Sequence, residues 1–368
     1  MKKKIVIVST YPENGSKNIG DRLITNKLKA VVSSFGDYDF SIIWRAAPWD
    51  SVKEEILSCD HIFFACLAIR RNMHLNEYPY FEKIIDSGVP FSIISAGTNL
   101  GVNYLNTVFD DTSKASVLLL KRANESAVVS TTRGYLSQEF CRNQKLDHFN
   151  FSGDIAFFDN SFHNKKFVKN LPIKKIVVSD PHRSQIYENV FDRLVSGLKS
   201  DFPDSELVVA MHGVNPEIEF YCNENGIDFI DIYKFPDSGL NIYDSADLHV
   251  GFRVHAHVSA LTRRKYSYLL EQDGRGCDYG LTIERKISVP CYPSLYLKLT
   301  VKALIKRLLG KNLPISGPVS ISPAEQLLAI INADRQQGFE KFVGLERQIE
   351  QFHDLTRQAV GQALGEPS

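Results

Sequence analysis

The sequence predicts an α/β protein with two similar open-sheet domains and a helical C-terminal extension, on three observations. Runs rich in β-branched residues alternate with helical patterns through most of the chain. Those runs are apolar throughout, as parallel strands covered on both faces require. The alternation breaks once, in a polar segment, and then begins again. At 368 residues the chain exceeds what one core organises, and two domains of roughly 150 to 180 residues are the expected division.

Lys2, Lys3 and Lys4 precede the run Ile5 to Val8, which ends at Ser9, Thr10, Tyr11 and Pro12. That run is shorter than the roughly 7 to 15 residues of a signal-peptide core, so a first buried strand is expected at Lys4 to Ser9. Further strands are expected at Phe40 to Ile43, His61 to Cys66, Phe91 to Ser95, Ala127 to Ser130 and near Phe149 to Ser152. Asn18 to Asp21 precedes the first helix, and Ser137 falls in the helix after Arg133. Residues 161–174 are polar and read as a linker between an N-terminal domain (1–160) and a second one (175–322).

In the second domain strands are expected at Lys175 to Ser179, Glu206 to Met211, Asp228 to Ile232, Leu248 to Val250 and Tyr266 to Leu270. Helices are expected near Ser184 to Lys199, Pro216 to Asn225 and His255 to Thr262. Two Rossmann-like domains facing a cleft form a GT-B-like arrangement. Tyr296 to Lys311 carries five basic residues and no acid, with Leu297, Val301, Leu304, Ile305 and Leu308 at helical spacing. This segment, 296–311, is a basic amphipathic helix, either resting on an anionic membrane or packed as a surface helix. Residues 323–368 are expected to be helical and to cross back to the first domain.

Composition narrows the function. Lys plus Arg and Asp plus Glu are 43 each, so no global field draws the chain to nucleic acid, and any anion site is local. The six cysteines lack C-x-x-C spacing, which suggests neither a zinc cluster nor a disulfide framework. No stretch approaches the roughly 18 apolar residues of a membrane span. A cytoplasmic protein is the expectation, and peripheral contact with the inner membrane face belongs only to the membrane reading of 296–311. Neither a P-loop nor a G-x-G-x-x-G follows the first strand, which argues against nucleotide hydrolysis and nicotinamide binding. Asp and His residues form no ligand cluster at helical or hairpin spacing, so no metal is expected.

The sharpest motif runs from Asp247 to His257, a strand turning into a helix of small residues with Arg253, His255 and His257 at the turn. A helix N-terminus joined by a guanidinium fork and an imidazole makes an anion pocket. The alternative is that the two histidines are half-buried and satisfied by backbone partners. Arg253, at a strand end in an α/β fold, favours the ligand crevice.

Arg253-Val-His255 before a small-residue helix resembles the hallmark of polysaccharide pyruvyltransferases, and other family marks recur in order. Asn18-Ile-Gly20-Asp21 resembles the family's Asn-x-Gly-Asp. Ser95 to Gly101, which includes Gly97 and Asn99, resembles its glycine-bearing loop. Thr132 to Ser137 resembles its Arg-Asp-x-x-Ser segment, Ser152 to Asp154 its Gly-Asp step, and Glu271 to Gly276 an acid-and-glycine loop. The pattern is broken in two places: Gly134 stands where the family usually has Asp, which bears on how Arg133 is aimed, and the pair Thr98-Asn99 is unusual in its loop.

The resemblance implies transfer of pyruvate from phosphoenolpyruvate to a sugar of a bacterial surface polysaccharide or its precursor, forming a ketal without a further cofactor. A carboxylate and a phosphate call for clustered cations, and Arg253 and Arg133 are the candidates, one from each domain. The resemblance implies His255 as proton donor, or as a grip on the phosphate; near a dianion an imidazole keeps its proton. Asp21 and Asp154, at expected strand ends, are candidate bases, against plain helix-terminal and turn roles. His212 and His257 are candidate donor contacts, and Asn18, Gly20, Asp21, Gly97 and Asn99 candidate acceptor contacts. Asp180 to Arg183 occupies the first loop of the second domain and is placed to meet either substrate. The rivals are a glycosyltransferase of the same architecture using a nucleotide-sugar donor and a catalytically silent sugar-binding protein.

Overall fold

Strand β1 (Lys3–Ser9) is the axis of the first sheet, because Ile5, Val6 and Ile7 are fully buried and have parallel neighbours on both sides. In the computed structural model, which describes residues 2–11, 18–102, 108–293 and 318–366, β1 lies between β2 (Tyr38–Trp44) and β3 (His61–Ala65). The short β4 (Ala68–Ile69) pairs with β5 (Phe91–Thr98), and a two-stranded hairpin follows, β6 (Gly101–Val102) with β7 (Val108–Phe109). Strands β8 (Val129–Thr132) and β9 (Phe149–Phe151) complete the sheet, in the order β2-β1-β3-β5-β8-β9. The expected strand at Ala127 begins two residues later, since Ala127 closes the preceding helix by bonding to Ala123.

The second sheet is parallel throughout: β10 (Lys175–Ser179), β11 (Glu206–Ala210), β12 (Asp228–Ile230), β13 (Leu248–Gly251), β14 (Tyr266–Glu271) and β15 (Ser288–Pro290). Its order is β12-β11-β10-β13-β14-β15, the doubly wound pattern whose strand order reverses between the first and fourth strands. Strand β15 was not expected from sequence; three residues ending in Pro290 give too short a signal.

Helices cover both faces. In the first half these are α1 (Ile19–Ser33), α2 (Trp49–Leu57), α3 (Met73–Asn76), α4 (Phe81–Ser87), α5 (Lys114–Ser126) and α6 (Tyr135–Asn143). In the second they are α7 (Ser184–Asp201), α8 (Pro216–Glu224), α9 (Val254–Thr262) and α10 (Gly274–Thr282). Helix α7 buries Tyr187, Val190, Phe191, Leu194, Val195 and Leu198, the spacing of one helical stripe. The stretch Glu271 to Gly276, read as a loop, supplies the first turn of α10, where the Asp273 carboxylate caps the backbone amides of Arg275 and Gly276.

The C-terminal stretch is helical and joins the halves. Helix α11 (Ser322–Gln336) packs on α7, and α12 (Glu340–Val343) leads to α13 (Glu346–Leu364), which returns to the first half against β5, β8 and α1. Ile349 and Phe352 belong to the core of the second half, Ala359 and Val360 to the first. The basic segment expected over Tyr296 to Lys311 lies outside the described residues. Among those described, no helix is long and apolar enough to cross a membrane.

Phe352 packs its ring against Phe151 and Phe157, with centroids 5.7 and 5.3 Å away, and is 1% exposed. Replacing it with Ala removes buried aromatic contact at the point where the returning helix bridges the halves. A loss of about 3 to 5 kcal/mol is expected, measurable by urea unfolding.

Candidate active site

Parallel sheets deliver the carboxyl ends of their strands and the N-termini of their helices to one edge, and ligands bind where strand order reverses. Both sheets present such an edge to a shared cleft. In the first half it lies between β1 and β3, in the second between β10 and β13. A cavity of about 480 Å³ lies there, walled by Asn18, Asp21, Arg45, Arg70, Asn99 and Arg133 from one side and His182, Arg183, His255 and Arg275 from the other. It continues into a recess of about 30 Å³ reached by His212 and Arg253.

Helix α9 starts immediately after Arg253 and carries His255 in its first turn. The imidazole rests on the backbone of Gly20 so closely that a Cβ there would lie 2.1 Å from Nδ1. Asn18 opens α1 by accepting from the Gly20 amide at 3.0 Å. Nε2 of His255 is buried and meets no hydrogen-bond partner among the described residues. Burial lowers the imidazole pKa; Asp154 and Asp21 pull it up, Arg133 and Arg275 push it down, and the net shift is downward. The protein's own groups therefore favour the neutral ring, so the proton expected there from sequence needs the field of a bound anion.

Arg253 is held by Asp180. Its Nε donates to Asp180 Oδ1 and to the Asp180 carbonyl, each at 3.0 Å, and a terminal nitrogen donates to Oδ2 at 2.6 Å. Fully buried Asp180 also accepts from the His212 amide and Asn215. One side of the Arg253 fork is thus occupied, and its other terminal nitrogen lies 3.4 Å from His182 Nδ1. Arg275 is aimed in the same manner by Asp273, at 3.1 and 2.6 Å.

Arg133 emerges directly after β8 and lies across Gly97, where a Cβ would fall 2.3 Å from the guanidinium carbon. It donates to the Thr98 carbonyl at 3.2 Å and pairs with Asp278 at 3.7 Å. The side chain is 8% exposed, and its Nε meets no hydrogen-bond partner among the described residues. Burial opposes its charge, but Tyr279, Asp278 and Asp154 outweigh that effect and raise the guanidinium pKa.

The structure separates the other residues singled out from sequence. Asp21, in the first turn of α1, lines the cavity with Asn18, Gly97 and Asn99. Asp154 does not: it is fully buried behind the wall, accepting from the Ala156 amide at 2.8 Å and from the Tyr279 hydroxyl. His212 reaches the recess, with Nε2 2.7 Å from the Tyr243 hydroxyl, and burial drives its pKa well down. His257 points into the second half, where Nδ1 meets Ser267 Oγ at 2.8 Å and burial lowers its pKa to about 3. Ser267 also bonds His249, which bonds Ser179, whose hydroxyl accepts from the Arg253 amide at 3.2 Å. His257 is therefore part of a buried prop under the Arg253 turn and does not line the cleft.

Sequence reasoning missed Arg45, Arg70 and Arg275 as cavity residues. The available signal was position: Arg45, Arg70 and Arg133 each directly follow a strand, β2, β4 and β8. Remote from the cleft, His163, His353 and Asp354 bring potential metal-binding atoms within 4.8 Å. There the rings stack at 4.1 Å and both nitrogens of His353 already meet Asp354 and Asn160.

Paired doubly wound sheets with an arginine-lined cleft define a GT-B protein. The chain belongs to the polysaccharide pyruvyl transferase family, whose model matches residues 18–273, and is accordingly a transferase. Among solved structures, a putative UDP-N-acetylglucosamine 2-epimerase from Listeria monocytogenes aligns with a TM-score of 0.51 at 11% identity, covering 100% of this chain and 98% of its own. UDP-GlcNAc 2-epimerase from Neisseria meningitidis bound to UDP-GlcNAc gives 0.48 at 11% identity, with 100% of both chains covered. The Listeria likeness concerns the fold alone. No curated protein sequence matches the chain.

Two outcomes follow from these contacts. Gly20→Ala drives the His255 ring from its seat and is expected to lower transfer activity about 100-fold, read as kcat alongside the melting temperature. For His257, a folded pKa near 3 lies below the unfolded value, so its stabilisation is complete above about pH 6.5 and is lost as pH falls toward 3. About 2 kcal/mol of it is gone at pH 5. In His257→Asn the stability difference between pH 7 and pH 5, from urea unfolding, should shrink by that amount.

Proposed function

We propose that the cleft binds phosphoenolpyruvate between Arg133, Arg253, Arg275 and His255, with the saccharide acceptor against the first half, and that the product is a pyruvate ketal. The convergence of three guanidinium groups and an imidazole nitrogen without a hydrogen-bond partner among the described residues on one contiguous cavity carries this reading. Phosphoenolpyruvate presents a phosphate and a carboxylate, and guanidinium forks match both geometrically. The N-termini of α9 and α10 add partial positive charge on the same side. On the opposite wall Trp44, 43% exposed, lines the cavity, and Asp21 and Asn99 offer polar contacts to a sugar.

In this arrangement the His255 imidazolium gives its proton to the methylene carbon of phosphoenolpyruvate. A sugar hydroxyl oxygen bonds to the central carbon, and Asp21 accepts its proton. The carbon–oxygen bond to phosphate then breaks, with the electron pair leaving on phosphate, while the arginines balance the departing charge. A second hydroxyl closes the ketal. Summed over the cycle, one hydroxyl proton ends on the new methyl group and the other on phosphate, and both side chains return to their starting forms. Arg133 and Arg253 come from different halves, so the donor would be held by both.

Because burial lowers the His255 pKa, binding of an anion beside it is expected to take up a proton, and affinity to fall as pH rises. Calorimetry at pH 7.5 in two buffers of different ionisation enthalpy should show phosphoenolpyruvate binding with proton uptake. His255→Asn should abolish the uptake, and Arg275→Ala should weaken binding about tenfold or more. Binding of nucleotide sugars with phosphoenolpyruvate ignored would overturn the reading in favour of a glycosyltransferase.

A further inference from the structure

Helix α6 begins at Tyr135, directly after Arg133, yet its N-cap residue Gly134 has no side chain to cap it. The cap comes from the other half of the molecule. Asp278, in α10, is fully buried and accepts from the Leu136 amide at 2.9 Å and the Ser137 amide at 3.4 Å through one oxygen. Its second oxygen accepts from the Ser137 hydroxyl at 2.6 Å and stands 3.7 Å from the Arg133 guanidinium. The Tyr135 amide is taken by Thr282 Oγ1 at 2.8 Å, one turn further along α10. Ser137 in turn accepts from the Thr98 amide at 2.9 Å, and the Thr98 carbonyl receives Arg133. The circuit Arg133, Thr98, Ser137 and Asp278 therefore closes across the seam between the halves.

The space above Gly134 belongs to that carboxylate: a Cβ at position 134 would lie 2.1 Å from Asp278 Oδ1. The Gly134 backbone is extended, φ −152° and ψ 168°, a conformation any residue adopts. Any side chain on residue 134 would thus meet the Asp278 carboxylate, and the protein keeps that position bare.

We propose that Asp278 is the positioning residue for Arg133, a carboxylate supplied across the seam that aims the guanidinium into the cleft and caps α6 at the same time. The donor-side anion site is then complete only when the two halves are docked through α10 and α6. Asp278 acts through Arg133 and stays behind the cavity wall, outside the cavity lining. The inference rests on the assignment of Arg133 to phosphoenolpyruvate, and the wild-type protein tests that assignment separately.

The experiment compares phosphoenolpyruvate binding and transfer kinetics in four proteins: wild type, Asp278→Asn, Gly134→Asp, and the double variant Gly134→Asp with Asp278→Ala. Asp278→Asn keeps an acceptor for the α6 amides but removes the charge facing Arg133, so its Kd and KM for phosphoenolpyruvate should rise about tenfold to 100-fold, with a smaller change in KM for acceptor. Gly134→Asp alone places two carboxylates in one space and should be unstable. The double variant moves the carboxylate to the first half and should recover both melting temperature and phosphoenolpyruvate affinity to within about threefold of wild type. A wild-type protein that ignores phosphoenolpyruvate removes the donor assignment, and the positioning role with it. Wild-type binding that Asp278→Asn leaves unchanged, or a double variant that fails to fold or folds without regaining affinity, overturns the role of Asp278 and leaves the donor assignment standing.

Discussion

The seat of His255 on the bare backbone of Gly20 is the contact on which the cleft depends. It joins the first turn of α9 in the second half to the first turn of α1 in the first, at a separation that tolerates no side chain. Through it the imidazole comes to stand beside Asp21 and Arg133, which belong to the other sheet. Asn18 holds the Gly20 amide, so the Asn18 to Asp21 segment works as a socket for the opposing helix as well as the start of its own.

Three arginines of the cleft are aimed by carboxylates that stand behind or beside them: Arg253 by Asp180, Arg275 by Asp273, and Arg133 by Asp278. Asp180 and Asp278 are fully buried. Burying such pairs costs desolvation that their attraction does little more than offset, so they are poorly explained as stabilising features. They make sense as preorganisation, since a guanidinium locked before the anion arrives loses little freedom on binding and is already oriented toward the charge that develops during transfer.

Much of this was legible before the fold was known. The parallel sheets announced themselves as uniformly apolar runs, a strand end pointed to Arg253 because open α/β sheets bind ligands there, and the resemblance of Thr132 to Ser137 pointed to Arg133. His255 and His257, two residues apart, both read from sequence as facing the donor, with His255 alone as the proton donor. The α9 helix turns them some 200° apart, sending His255 to the cleft and His257 into the interior beside Ser267. Asp154 and Asp21 looked interchangeable, yet Tyr279 and the Ala156 amide claim Asp154 behind the wall. Asp180 stood out only as part of the loop Asp180 to Arg183, and Asp278 carried no distinguishing pattern, because the guanidinium each one meets lies far away in the chain.

By itself, then, the sequence determined the α/β class, the break between two repeated alternations and the short motifs at strand ends, all of which follow from local periodicity and backbone chemistry. Tertiary structure decided which motif residues face the cleft, which histidine turns inward, and which carboxylates serve which guanidinium. Those outcomes depend on where two separately built sheets meet, and the distances across that seam are set by packing between residues far apart in the chain, which no local pattern records.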